Sequence, residues 1–140
     1  MEIRNYNPQT DYEAVAALYK SSETFGGQYD GARDAEDRLR ILVEQKPDAI
    51  LVAEDNRKIV GTVTLFEDGR SAWLYRFAVQ AENEAEITKL LSKQALSILK
   101  QKGHSQALVY APAKNEHFEN RYTSLGFSKG NDFTAYWQDI

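Results

Sequence analysis

The 140-residue chain has no cysteine, which excludes disulfides, thiolate metal sites, iron–sulfur clusters and a cysteine nucleophile together. Its two histidines, His104 and His117, do not by themselves build a zinc site, and no metal is expected. Long apolar runs are missing as well. The longest follows Asp48 and ends at Ala53, far short of the roughly 20 residues that span a bilayer. No cluster of Lys or Arg occurs, and 17 basic against 21 acidic residues leave a net charge of −4. That balance argues against nucleic acid, whose binding is dominated by phosphate neutralisation. The segment Met1–Tyr6 sets Glu2 and Arg4 around a single Ile3 and has no apolar core of signal-peptide length, so a cytoplasmic address is expected, with no membrane partner. What the chain does have is aromatic mass. Eight Tyr, six Phe and two Trp supply apolar surface to offset the entropy of ordering, and the length suits one domain covering 1–140.

Hydrophobic periodicity sets the element order. Ile3–Tyr6 reads as a short strand closed by the Asn7-Pro8 turn signal. A helix over Asp11–Ser22 follows, capped by Thr10 or Asp11, with Val15, Leu18 and Tyr19 on one face. Gly26–Gly31 reads as a linker, and a second amphipathic helix runs from about Ala32 to Glu44, stopped by Pro47. The period then changes to that of strands: Ala49–Ala53, Ile59–Phe66 and Ala72–Val79, joined by polar turns into an antiparallel meander. A long helix from about Glu84 to Lys102 ends at Gly103. Ala107–Ala111 then reads as a strand parallel to its predecessor, Asn115–Ser124 as a short helix, and Asp132–Gln138, with alternating aromatics, as a closing strand. The class is α+β: a mixed, mostly antiparallel sheet with helices on both faces, in the order β-α-α-β-β-β-α-β-α-β. Phe133, Tyr136 and Trp137 on the closing strand offer an edge for pairing in a homodimer.

From Asn115 to Phe127 the chain resembles the GNAT superfamily of acyl-CoA-dependent N-acetyltransferases: an Asn, a Tyr seven residues later at Tyr122, then Leu125-Gly126-Phe127. Ile3-Arg4 with Asp11–Val15 and Leu18, Lys58–Gly61, and Phe77-Ala78-Val79 before the long helix are similar to family segments in the same order. The resemblance implies the GNAT fold and transfer of acetyl from acetyl-CoA to a primary amine on a small molecule or peptide, by direct attack without an enzyme nucleophile. It implies that Phe77, Ala78, Val79 and Asn115 line the pantetheine arm and that the turn Ala85, Glu86, Ile87, Thr88 and Lys89 meets the diphosphate. Tyr122 would be the acid that protonates the departing thiolate. Tyr122 read on its own residues is equally an aromatic packing helix on sheet, and Asn115 equally a helix cap.

The chain departs from the family in that turn. Val79–Lys89 contains neither glycine of the usual Gly-x-Gly, and Glu82, Glu84 and Glu86 crowd it. Two unit charges about 5 Å apart at an effective dielectric near 20 repel by roughly 3 kcal/mol, so weakened coenzyme A binding is expected, offset in part by Thr88 and Lys89. A non-catalytic, degenerate GNAT domain used for binding or regulation is the alternative reading. The linker before the second helix corresponds to a loop that borders the acceptor in similar proteins, which makes Tyr29 and Asp30 candidates for receiving a cationic amine. Tyr75, on the strand before the cofactor turn, is a third candidate. No carboxylate lies between Asp68 and Glu82 to serve as general base.

Overall fold

The computed structural model describes residues 1–22 and 29–140, so Gly26 and Gly27 of the expected linker lie outside the described residues. The elements are β1 Glu2–Asn5, α1 Tyr12–Ser21, α2 Glu36–Gln45, β2 Ile50–Asp55, β3 Lys58–Glu67, β4 Ala72–Val79, α3 Glu84–Gln101, β5 Leu108–Val109 and α4 Glu116–Ser124. The strands lie in the order β1-β2-β3-β4-β5. All neighbours are antiparallel except β4 and β5, which are parallel. This is the expected mixed, mostly antiparallel α+β sheet. Among the described residues no helix is long and apolar enough to cross a membrane.

Each face of the sheet has its own apolar cluster. The 3.6-residue period of α3 puts Ile87, Leu91, Ala95 and Leu99 against Val63, Leu65 and Leu74, and α4 adds Phe118 and Tyr122 to the same cluster. On the other face Val15, Leu18 and Tyr19 of α1 and Leu39 and Val43 of α2 cover Ile50, Val52 and Ala78. Gly61 permits the close approach of α3. A Cβ there would stand 2.5 Å from Ile87 Cγ2 and 3.0 Å from both Leu91 Cδ1 and Val79 Cγ1.

The strand that matters most for function is irregular. Thr62 pairs with Ala78 but Thr64 with Tyr75, so Val63 faces two residues of β4, Arg76 and Phe77. This is a β-bulge, and Arg76 occupies it at φ +50°. The extra residue resets the alternation, so that Leu74 and Phe77, three apart, both enter the cluster under α3.

Three expectations need correction. The second helix begins at Glu36, not Ala32, because Asp30 closes a turn first: its Oδ1 accepts the N–H groups of Ala32 (3.0 Å) and Arg33 (2.8 Å). Asp11 stands at the cap of α1 without a side-chain cap bond. Its carboxylate instead accepts from Arg4 Nη1 at 2.6 Å and the Asn7 N–H at 2.7 Å. The closing strand Asp132–Gln138 is not formed. β5 offers an edge only two residues long, too short to template a neighbour, and Phe133, Tyr136 and Trp137 are left exposed. The His104 side chain is buried, with Nε2 3.0 Å from Glu67 Oε2.

Candidate active site

The site begins with an interrupted pairing. β4 and β5 match only at Trp73–Leu108 and Leu74–Val109. β4 then continues to Val79 while β5 ends at Val109, so among the described residues Phe77–Val79 have no paired strand on the β5 side. Strand backbone that lacks a neighbour still needs hydrogen-bond partners, and an extended amide-bearing ligand supplies them by strand addition. Phe77, Ala78 and Val79 have buried side chains in the two core clusters, so their contribution to such a slot is through the backbone alone. The Val79 carbonyl accepts from Ser22 Oγ at 3.2 Å.

α4, which carries Asn115 at its cap and Tyr122 within it, packs against β4 through the Tyr122 and Phe77 rings. Asn115 caps it, Oδ1 accepting the Phe118 N–H at 3.3 Å, which answers the cap reading and uses one of its polar atoms. Seven residues on, Tyr122 is buried, its ring 6.4 Å from that of Phe77 and 5.9 Å from that of Phe127. Burial pushes its phenol above the ordinary tyrosine range, with the neighbouring Arg121 pulling the other way. The phenol therefore keeps its proton at neutral pH. Asn115 and Tyr122 also line a cavity of about 710 Å³ between α4, β5 and the segment that follows Gly126, but Phe77–Val79 do not border it.

The turn from β4 to α3 differs from expectation residue by residue. Ile87 and Thr88 are buried, and the Thr88 hydroxyl donates back to the carbonyls of Glu84 (2.9 Å) and Ala85 (3.2 Å), so neither side chain faces a ligand. Ala85, Glu86 and Lys89 are exposed. Asn83 takes the left-handed conformation at φ +57°, which asparagine adopts more readily than most side chains. Glu84 is not a free charge: its Oε1 accepts from Arg121 Nε at 2.7 Å and from Arg121 Nη2, and lies 3.0 Å from His117 Nε2. Sequence reasoning missed Arg121. The available signal was its place directly before Tyr122 in the segment from Asn115 to Phe127.

On the opposite side of β4, the acceptor candidates are gathered by a buried ion pair. Arg76 Nη2 donates to Asp34 Oδ2 at 2.9 Å, and the same oxygen accepts the Asp30 N–H at 2.9 Å. The guanidinium lies 5.4 Å from the Tyr75 ring centre and 5.7 Å from that of Tyr19. Tyr29 joins the α1–α2 side, its hydroxyl 3.4 Å from that of Tyr12, which in turn donates to the Asp34 carbonyl at 2.9 Å. Tyr29, Asp30 and Tyr75 thus converge around Arg76, beside Tyr75 on β4, and Asp34, which was not singled out in the sequence. Asp30 serves the turn described above, and the N–H groups of Arg33 and Ala32 hold its carboxyl below the usual range. Among the described residues no group of three or more His, Asp or Glu is placed to hold a metal ion.

No protein-family model and no curated protein matches the sequence. Solved structures do match. The chain is similar to Ard1 from Thermoplasma volcanium, with 18% identity and a TM-score of 0.76 over 93% of this chain and 84% of that one. It is similar to the PaiA N-acetyltransferase from Thermoplasma acidophilum in complex with coenzyme A, with 23% identity and a TM-score of 0.74 over 94% and 92% of the two chains. It also matches glucosamine-6-phosphate N-acetyltransferase from Arabidopsis thaliana, with 17% identity and a TM-score of 0.74 over 99% and 98%. At such identities the likeness establishes the fold, and that fold is the one the GNAT acetyltransferases share.

Proposed function

We propose that the protein is an N-acetyltransferase that moves the acetyl group of acetyl-CoA to a primary amine of a small molecule or peptide, in the cytoplasm and without a metal. The observation that supports this reading is the early end of β4–β5 pairing, with the buried ring of Tyr122 packed 6.4 Å from that of Phe77 on β4. The residues fit an amide-rich arm: β4 offers backbone, α4 offers Asn115, and α3 begins where β4 ends. Bound acetyl-CoA supplies an acyl group activated by a thiolate leaving group. The amine nitrogen attacks the acetyl carbon, a C–N bond forms, and the C–S bond breaks. Tyr122 holds the proton that the departing sulfur takes up, and its raised pKa keeps that proton in place across the working pH range. The amine's own proton leaves to water, from which Tyr122 regains the proton it gave to sulfur, because the buried carboxylate Asp34 is committed to Arg76.

Several solved structures of the same fold carry names of enzymes acting on amino sugars and aminoglycosides. A small amine bearing hydroxyls is therefore a sensible first class of acceptor for the Tyr29, Asp30 and Tyr75 side. A second reading, a GNAT-fold binding or regulatory module without catalysis, is favoured by the glycine-free turn at Glu82–Glu86.

The two readings separate in one assay. Acetyl-CoA is incubated with a panel of aminoglycosides, amino sugars, polyamines and peptide amines, and both free thiol and acetylated amine are measured. Amine-dependent thiol release supports the enzyme. Coenzyme A binding without release for any amine supports the module.

A further inference from the structure

The Glu84 carboxylate, on the first turn of α3 just past the end of β4, is held like a ligand. Three nitrogens converge on one oxygen, Glu84 Oε1: Arg121 Nε at 2.7 Å, Arg121 Nη2, and His117 Nε2 at 3.0 Å. Such convergence on a single oxygen suits a phosphoryl oxygen at least as well as a carboxylate. The guanidinium does not depend on Glu84 for its position. Its side chain is only 10% exposed, and it packs 4.7 Å from the ring centre of Phe118 and 6.0 Å from that of Tyr122. Glu84 sits on the first turn of α3, is more exposed at 21%, and has a rotatable stem with solvent beside it. Arg121 adjoins Tyr122, so its cation lies between the acid of the reaction and the start of α3. The turn itself offers little to an anion, because Thr88 is buried and bonded to backbone while Glu82 and Glu86 are exposed.

We propose that Arg121 and His117 form the anion-binding end of the coenzyme A site, and that Glu84 is a built-in surrogate anion which the diphosphate displaces. The proposal rests on the reading of the β4–β5 gap as a coenzyme A site. It replaces a glycine-lined backbone cradle with side chains from α4. A phosphate group carries more charge than a carboxylate and brings several oxygens, so it outcompetes Glu84 when present, while Glu84 keeps the buried guanidinium partnered when it is not.

Isothermal titration with two probes tests this: coenzyme A, and pantetheine, which has the same thiol arm but no phosphate. Glu84→Gln is expected to tighten coenzyme A about tenfold and leave pantetheine within twofold of wild type. Arg121→Met is expected to weaken coenzyme A at least tenfold with pantetheine again unchanged. Arg121→Lys, which keeps the charge and loses the planar fork, falls between and serves as the reading if Arg121→Met does not fold. Unchanged or weaker coenzyme A binding by Glu84→Gln, wild-type affinity in the Arg121→Lys variant, or equal losses for both probes overturns the proposal. If neither wild type nor Glu84→Gln binds either probe at millimolar concentration, the coenzyme A reading falls with it. If wild type binds and the variants match it, only this proposal falls.

Discussion

Arg76 and Asp34 meet at 2.9 Å across the end of the sheet, with side chains 2% and 5% exposed. The pair ties the bulge of β4 to the turn before α2, and so fixes the wall that carries Tyr29, Asp30 and Tyr75. Breaking one partner leaves an uncompensated buried charge, which costs about 3–5 kcal/mol. Arg76→Met or Asp34→Leu alone is therefore expected to lower the urea midpoint sharply. The double variant, with both charges replaced by apolar groups, is expected to recover most of the loss. A single variant with wild-type stability would contradict the account.

Tyr122→Phe removes the proposed acid and little else, because the ring keeps its packing against Phe77, Phe118 and Phe127. Turnover is expected to fall by about 10²–10⁴, the usual worth of a positioned acid, with acetyl-CoA affinity within about twofold of wild type. The pH profile carries a second signature. A phenol pushed above its ordinary value keeps its proton through the ordinary tyrosine titration, so wild-type activity should not decline there. A parallel loss of affinity and turnover in Tyr122→Phe would assign the residue to packing.

Acid should destabilise the protein through two carboxylates. Burial works against ionisation of Asp11, but hydrogen bonds from Arg4, the Asn7 N–H and Thr10 together hold it below the usual range. Lys46, then His104 and the Gly69 N–H, hold Glu67 at about 2 against an ordinary 4.5. A folded-state pKa below the unfolded one means that the unfolded chain binds more protons in that window, so stability rises with pH there. The contribution is complete above about pH 4.5 and is lost as pH falls toward 2. Melting temperatures between pH 6 and pH 2.5 should show this fall, with a shallower slope in Glu67→Gln and Asp11→Asn. Equal slopes in all three proteins would contradict it.

Gly61→Ala tests the packing of α3 on β3. The added methyl meets the branch methyl of Ile87 at 2.5 Å, a contact relieved only by moving α3 or its rotamers. Overpacking of this kind costs about 1–3 kcal/mol, to be measured by urea unfolding. Because α3 begins at the cofactor turn, coenzyme A binding is expected to weaken in the same variant.

Much of this architecture was legible because it is written in local periods. The apolar stripe of α3, the strand run Ile50–Ala53 and the Asn115 to Phe127 spacing each depend on residues close in sequence. What escaped depends on distant ones. Arg76 and Asp34 are 42 residues apart, and Arg121 and Glu84 are 37 apart, so no window contains both partners of either pair. The bulge at Arg76 was invisible for a related reason: an arginine at positive φ has no compositional signature, and its place is set by β3 across the ladder. The missing closing strand shows the converse. Alternating aromatics in Asp132–Gln138 are a real strand pattern, but a strand needs an edge, and β5 provides two residues. In the turn from β4 to α3 the absence of glycine is read directly from the sequence, while the local charge depends on Arg121 of α4, which sequence order placed out of reach.

The central claim, that the gap between β4 and β5 receives acetyl-CoA, is tested most directly by isothermal titration of the wild-type protein with acetyl-CoA at neutral pH and low salt. The account predicts saturable one-to-one binding with a dissociation constant in the micromolar range. Absence of a binding isotherm at millimolar acetyl-CoA would contradict it.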